Sequence, residues 1–391
     1  MDNQSANYNS PSLVDSHSNN HSLPFEILTE IFSHLTSDGP LQLRHVLFVA
    51  RSWYNAAVYS PNLWTAILID REFHLRCRDG WLAHGEAFIR CCFTRSRDLP
   101  MTISVKYQDE RAQDEPLTGA FLSTVIGRLL GSVDHCHTKR CKALTWTFFD
   151  PDFDVYAFRT IFPSQLDMLE YLSLQDFVSS GIELAIDETS SALQFPHCPN
   201  LKEVSLTDHS ETEISRFFRD EDLERVEKLT FGNTSIWMSY DTLCISRYRN
   251  IHTLILRGNG VHMSDGQGYK DWVAGGRISA YLPRLKTLLA IGYIPRYILE
   301  SIKAPDLISL RLEMDEEAHH TLGTIPTTLL ATLHSIDISF RPLPTPSWVL
   351  LLHSIISKAP RLSHVFVPEW MKDDLELEDW YRQLDVFCHY L

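Results

Sequence analysis

Apolar positions follow two rhythms along this chain, a short helical one near the start and a long repeating one over the remainder. From Leu23 onward, Ile27, Leu28, Ile31, Phe32 and Leu35 recur at spacings of three and four, which draws one apolar stripe on a helix. Ser22 is placed to cap that helix, Pro24 has no N–H to lose in its first turn, and Glu26 meets the positive end of the dipole. Ser37-Asp38-Gly39 ends it. Pro40 opens a second, short helix with Leu41, Leu43 and Val46, and a third runs through Val49, Trp53, Ala56 and Ala57 before Pro61. Three helices in about forty residues bury little of their surface, so this body needs support from the following segment or from a partner. Leu23, Pro24, Ile27 and Leu28 are its surplus apolar residues. Either they pack on the third helix or they dock a second protein.

The second rhythm is a three-position signature, an apolar residue followed by others three and five places on. It runs Leu169-Leu172-Leu174, Leu201-Val204-Leu206, Val226-Leu229-Phe231, Ile251-Leu254-Leu256, Leu285-Leu288-Ala290, Leu307-Leu310-Leu312, Leu333-Ile336-Ile338 and Leu362-Val365-Val367. Cys141-Leu144-Trp146 is a degenerate earlier copy. First positions from Leu169 lie 32, 25, 25, 34, 22, 26 and 29 residues apart, mostly the period of leucine-rich repeats. The last two positions of each copy differ by two and so face one side of a short strand. Between strands, 293–302 and 348–358 have helical spacing. Each unit is then a strand plus a returning helix, and neighbours stack to bury their apolar faces. Residues 65–140 are less regular: Trp81, Phe88, Ile89 and Phe93 suit a helix, Leu99, Met101, Ile103 and Val105 a strand, and Phe121 to Leu130 another helix. Leu375, Leu377, Trp380, Leu384, Phe387 and Leu391 predict a closing helix over 373–391 that caps the array.

The order Leu23-Pro24-x-Glu26-Ile27-Leu28-x-x-Ile31-Phe32-x-x-Leu35, then Leu43, Val46 and Val49-x-Arg51-x-Trp53, resembles an F-box. Ser60-Pro61-Asn62-Leu63-Trp64 is similar to the continuation in F-box-like proteins common in mushroom-forming fungi. Ala50 departs from the cysteine or serine often found there. The resemblance covers roughly residues 21 to 67. It implies that the helical module binds a Skp1-like adaptor of a cullin–RING ubiquitin ligase while the rest of the chain selects a target. It assigns adaptor contact to Leu23, Pro24, Ile27, Leu28 and Ile31, and the small core to Phe32, Leu35, Val49 and Trp53. The repeats, in turn, look like the divergent leucine-rich arrays that accompany F-boxes.

Composition narrows the function classes. The 391 residues are 44% hydrophobic and 22% charged, ordinary for a globular chain. A formal net charge of −15 argues against binding nucleic acid or anionic membrane. No apolar run approaches a membrane span, and residues 1–21 lack the features of a secretory signal and read as a disordered tail. Eight cysteines without framework spacing suit a reducing compartment, hence cytoplasm, nucleus or both.

Candidate chemistry is thin. Asp134-His135-Cys136-His137 with Cys141 is the most metal-like cluster, but it lacks a second ligand pair to close a zinc site. Adjacent Cys91 and Cys92 diverge and chelate poorly. Gly258-x-Gly260 and Gly266-x-Gly268 lack the third glycine or Lys-Ser/Thr of a phosphate loop, so 258–276 is expected as an insertion loop. His209, His252, His262 and Glu313 are not fixed together by any spacing, and Glu316-Glu317 with His319-His320 is not the metalloprotease pattern. The charged stretch 208–228 is expected to be a solvated helix face, with a patch for a basic partner as its alternative.

The expected fold class is α/β: an N-terminal three-helix F-box module followed by a curved leucine-rich-repeat solenoid with a parallel sheet and outer helices. The expected divisions are a tail at 1–21, the helical module at 22–67, linking helices or degenerate first repeats at 68–140, the array at 141–370 and a capping helix at 371–391. The expected function is non-catalytic substrate recognition for a ligase, with a Skp1-like adaptor and an unidentified protein substrate as partners and no cofactor, metal, nucleic acid or membrane. A free-standing repeat scaffold and an α/β enzyme are the alternatives.

Overall fold

The computed structural model describes residues 23–36, 40–70, 73, 82–106, 130, 138–147, 162, 164–175, 195–207, 218–234, 245–258, 279–292, 294, 296–314, 325–340, 352, 354–367 and 387–390. The tail at 1–21, the metal-like residues 134–137 and the loop at 259–276 lie outside these.

Helix α1, Phe25–Leu35, begins one residue past Pro24, whose carbonyl accepts the first helical hydrogen bond from Leu28 N–H at 3.1 Å. Proline ahead of the helix sets its entry without a side-chain cap. Where the sequence predicts a second α-helix, Pro40–His45 forms a 3-10 turn that buries Pro40 and Leu43. Helix α2, Arg51–Tyr59, follows, and a second 3-10 turn, Pro61–Trp64, buries Leu63 and Trp64.

The chain then enters β1, Ala66–Ile69, without a linker. Helix α3, Leu82–Arg95, and β2, Met101–Val105, come next. The expected division at residue 67 therefore cuts into the first strand, and β1 and β2 belong to the same sheet as the units beyond residue 140.

Ten more strands extend that sheet: β3 Cys141–Thr147, β4 Tyr171–Gln175, β5 Glu203–Thr207, β6 Lys228–Thr234, β7 Thr253–Gly258, β9 Thr287–Ile291, β11 Ser309–Met314, β12 Ser335–Phe340, β13 His364–Val367 and β14 Phe387–Tyr390. A separate two-stranded parallel sheet pairs β8, Ala280–Tyr281, with β10, Ile302–Lys303. The twelve strands of the large sheet lie in chain order and every pairing is parallel. Parallel neighbours require a crossover between them, and the 22–34 residue spacing of the signature supplies it.

Every residue of the three-position signature is buried, and the register aligns the copies. Leu144, Leu172, Val204, Leu229, Leu254, Leu288, Leu310, Ile336 and Val365 form one continuous row. A fourth position recurs three residues before the first. In eight units its carbonyl accepts the N–H of the first signature residue at 3.1–3.4 Å, as from Leu201 to Cys198 and from Ile251 to Tyr248. Its side chain is buried each time. The residue after the first signature position is equally regular: from Glu170 to His334, seven such carbonyls each accept two N–H groups from the following unit at 2.7–3.1 Å.

Side chains tie the units as well. The residue just before the signature reaches back to a carbonyl in the preceding turn: Arg140 to Leu99 at 3.1 Å, and Asn200 to Asp167, Arg225 to Pro199 and Asn250 to Glu224 at 2.6 Å each.

Three expectations change here. The closing helix over 373–391 is not what Phe387–Tyr390 forms; these residues pair parallel with His364–Val367 as one more strand. Cys388 and Tyr390 align with Val365 and Val367, so the free edge of β13 is covered by strand pairing. Of the helical stretch 293–302, Arg296–Ser301 is helix α5 and Ile302 starts β10. Of the charged stretch 208–228, Asp220–Leu223 is a short helix, α4, whose Asp222 turns inward instead of joining a solvated face. No helix among the described residues is long and apolar enough to cross a membrane.

Candidate functional site

Two surfaces of the described chain have the chemistry to take a partner. The first is α1. Leu28 and Phe32, four residues apart, are buried at 1% and 0% exposure and hold the helix to its own module. Ile27, Ile31 and Leu35 repeat the same spacing one position away, which rotates them about 100° around the helix. They stand 48%, 40% and 42% exposed, continued by Leu23 and Phe25 at the leading end. The helix is therefore apolar on two adjoining faces and its module covers only one.

The inner face is well fixed. Phe32 meets Trp53 of α2, and Ala56 and Ala57 are fully buried between the helices. Thr29 Oγ1 and Ser60 Oγ share a hydrogen bond of 3.0 Å, tying α1 to the end of α2. Trp64 donates from Nε1 to the Ala57 carbonyl at 2.8 Å, and the Arg95 guanidinium of α3 lies 4.4 Å from the Trp64 ring centre. The support that so small a body needs thus comes from the segment that follows it.

The residues assigned from the sequence divide accordingly. Leu23, Pro24, Ile27 and Ile31 are exposed, while Leu28, assigned to the contact surface, is internal. Leu35 and Val49, assigned to the core, are exposed instead, because each lies beyond the side of its segment that meets α1 or α2. Phe32 is in the core and Trp53 packs half-buried against it. The sequence reading missed Phe25 and, above all, Phe48 at 90% exposure. An aromatic residue beside Val49 in a turn was the available signal.

The second surface is the sheet face opposite the signature rows. Lys228 pairs with Glu203 at 2.7 Å, and Arg311 sits between Glu313 at 3.0 Å and Asp337 at 3.4 Å. Partial burial raises the Asp337 carboxyl above its usual range, with Arg311 acting in the opposite direction. At the start of the strands, Glu170 bridges Lys142 at 3.7 Å and Lys202 at 3.6 Å.

Inside, one polar cluster joins two units. His197 Nδ1 lies 2.7 Å from Oδ1 of buried Asp222, and the Cys198 N–H donates to the same carboxylate. The Cys198 Sγ donates to Pro196 O at 3.1 Å, and burial pushes its thiol pKa up. A thiol that burial keeps neutral is a poor nucleophile. Cys141, the last member of the metal-like cluster, is a fully buried strand residue whose thiol is pushed up to about 12 by burial. Among the described residues no group of three or more His, Cys, Asp or Glu side chains is placed to hold a metal ion.

In comparisons with known proteins, residues 21–70 match the F-box-like family model, a span that runs past the end of β1. No curated protein matches the chain.

Proposed function

We propose that this chain is a substrate-recognition subunit of a Skp1–cullin–F-box ubiquitin ligase. Its N-terminal module holds a Skp1-like adaptor, and its repeats, read as a divergent leucine-rich solenoid, hold a target protein. The observation that carries the first half is the second apolar stripe of α1. Ile27, Ile31 and Leu35 line a helix already anchored by Leu28 and Phe32, with Leu23 just ahead of it, inside a span that matches the F-box-like family. Half-exposed aliphatics of this size each gain roughly 1 kcal/mol when a partner covers them. Phe25, Phe48 and Val49 add to the apolar surface on offer.

The second half rests on topology. An array of stacked units offers a long row of strand residues to a partner, while its stacking rests chiefly on the buried signature rows. In this reading the chain performs no chemistry. It holds a target lysine near a ubiquitin-carrying enzyme, and that proximity removes much of the entropic cost of the encounter.

The test is a pull-down of purified Skp1-type adaptor by the full chain beside a Leu23→Asp, Ile27→Asp double variant. Both substituted positions are exposed, so the variant is expected to keep its fold, checked by circular dichroism and melting. Adaptor binding by the native chain and its loss in the folded variant support the proposal. Failure of the native chain to bind, under conditions where an established F-box protein does, leaves the repeat scaffold without a ligase.

A further inference from the structure

Along the sheet face opposite the signature rows, two neighbouring strands, β7 and β9, carry a cluster of aliphatic side chains. On β5 and β6 this face carries Ser205, Thr207 and Thr230, and on β11 and β12 it carries Arg311, Glu313 and Asp337. Between them, β7 and β9 present Ile255, Leu289 and Ile291, all half-buried. Ile255 and Leu289 are paired across the two strands, and Ile291 is next but one on the second strand. A contiguous aliphatic island two strands wide, flanked by the polar residues of β6 and β11, is the pattern of a contact surface rather than of a solvated one.

Arg257 stands at the corner of this island, paired in register with Ile291 on one side and Gly232 on the other. It is exposed, and among the described residues it has no ion-pair partner. The other cations of this face, Lys228 and Arg311, are each held by carboxylates. Gly232 has φ +129°, and a Cβ there would overlap the Arg257 backbone, so this flank carries no side chain. The guanidinium is left with an open flank and an apolar neighbour.

We propose that Ile255, Leu289, Ile291 and Arg257 form a docking patch for a target segment in which an aspartate or glutamate adjoins an aliphatic residue. The inference rests on the reading of the sheet as the element that holds the target. A carboxylate fits better than a phosphoryl group. A single guanidinium offers a bidentate fork to one carboxylate, whereas a dianion needs further cations, and the chain carries a net charge of −15. The aliphatic island excludes water beside that pair and strengthens it.

The experiment is selection of displayed random peptides on the full chain, with adaptor binding measured on the same preparation. The expected consensus places Asp or Glu beside Ile, Leu or Val. Selected peptides should bind about tenfold more weakly, or worse, to Arg257→Glu and to Leu289→Ser, and unchanged to Arg249→Glu, which alters an exposed arginine in the turn before β7. Selection repeated on Arg257→Glu should exchange the acid for Lys or Arg. No enrichment, a consensus without the acid–aliphatic pair, or indifference to Arg257→Glu overturns the patch. Adaptor binding should survive in Arg257→Glu. If the native chain selects the peptides but does not bind adaptor, the patch stands and the ligase reading falls.

Discussion

Phe32 and Trp53 meet edge to face with ring centres 5.5 Å apart and planes inclined at 63°, closing the seam between α1 and α2. Phe32 is fully buried and Trp53 half-buried, so the tryptophan is the lid on a seam otherwise filled by alanines. Trp53→Ala removes that lid and leaves a void beside Phe32. The expected cost is about 2–4 kcal/mol, somewhat less than for a fully buried aromatic. Ile27→Asp, one face round on α1, is expected to cost under about 1 kcal/mol, because about half of its surface is already exposed. Urea unfolding of the two variants should separate them clearly. Equal destabilisation would mean that Ile27 is structural and would remove the basis for a free apolar stripe.

The reach-back contacts make a second expectation. Asn200 and Asn250 each donate a side-chain N–H to a carbonyl one unit earlier, both at 2.6 Å. Either Asn→Ala change is expected to cost about 0.5–1.5 kcal/mol, the net worth of one such bond. Asn250→Asp should cost more, since a carboxylate would face the Glu224 carbonyl with no proton to offer. The check is the order of midpoints in thermal or urea unfolding: native above Asn250→Ala above Asn250→Asp.

These contacts mark where sequence reading succeeds and stops. The rows through Leu172 and Leu174 were legible because nearly every unit fills them with an aliphatic residue. The buried position three residues earlier was not, since Thr138, Leu166, Cys198, Tyr248 and Ala304 share no chemistry. What unites them is a backbone turn that accommodates any compact or flat side chain. The last strand was illegible for a related reason: Cys388 and Tyr390 replace aliphatics there, after a stretch with helical spacing. On α1 the pattern showed that the helix is apolar but merged two faces into one, which exchanged Leu28 with Leu35. Spacing gives the width of an apolar surface; only the neighbours decide which part of it is inside.

Gly292 gives a sharper stability test. Its φ is +71°, and a Cβ there would lie 2.5 Å from the Gly258 carbonyl oxygen on the neighbouring strand. Its N–H donates to Glu313 O on the other side at 2.8 Å, so the backbone has little room to shift. Gly292→Ala therefore combines a left-handed conformation with a backbone clash, and a loss of about 1–3 kcal/mol is expected. Because Gly258 adjoins Arg257, the same variant should also weaken peptide binding at the proposed patch. A melting temperature equal to the native value would show that the two strands are not held this closely.

The Asp222 carboxyl carries the last expectation. Burial raises its pKa above the ordinary carboxylate value, while the Cys198 N–H and His197 act against that shift and fail to cancel it. In the unfolded chain the group ionises at the ordinary value, and in the folded chain only at higher pH. Between those two points the folded state binds more protons, so stability falls as pH rises through the window. Above the folded pKa the loss is complete and constant, and below the ordinary value it vanishes. Asp222→Asn keeps the shape and an acceptor for the Cys198 N–H but cannot ionise. Its stability relative to the native chain should therefore rise as pH is raised through the window and then level off. Unfolding free energies of the two proteins, compared from acid to neutral pH, give this difference directly. A difference that shrinks with rising pH would mean that the Asp222–His197 ion pair outweighs burial and that the cluster is a net electrostatic staple between the two units.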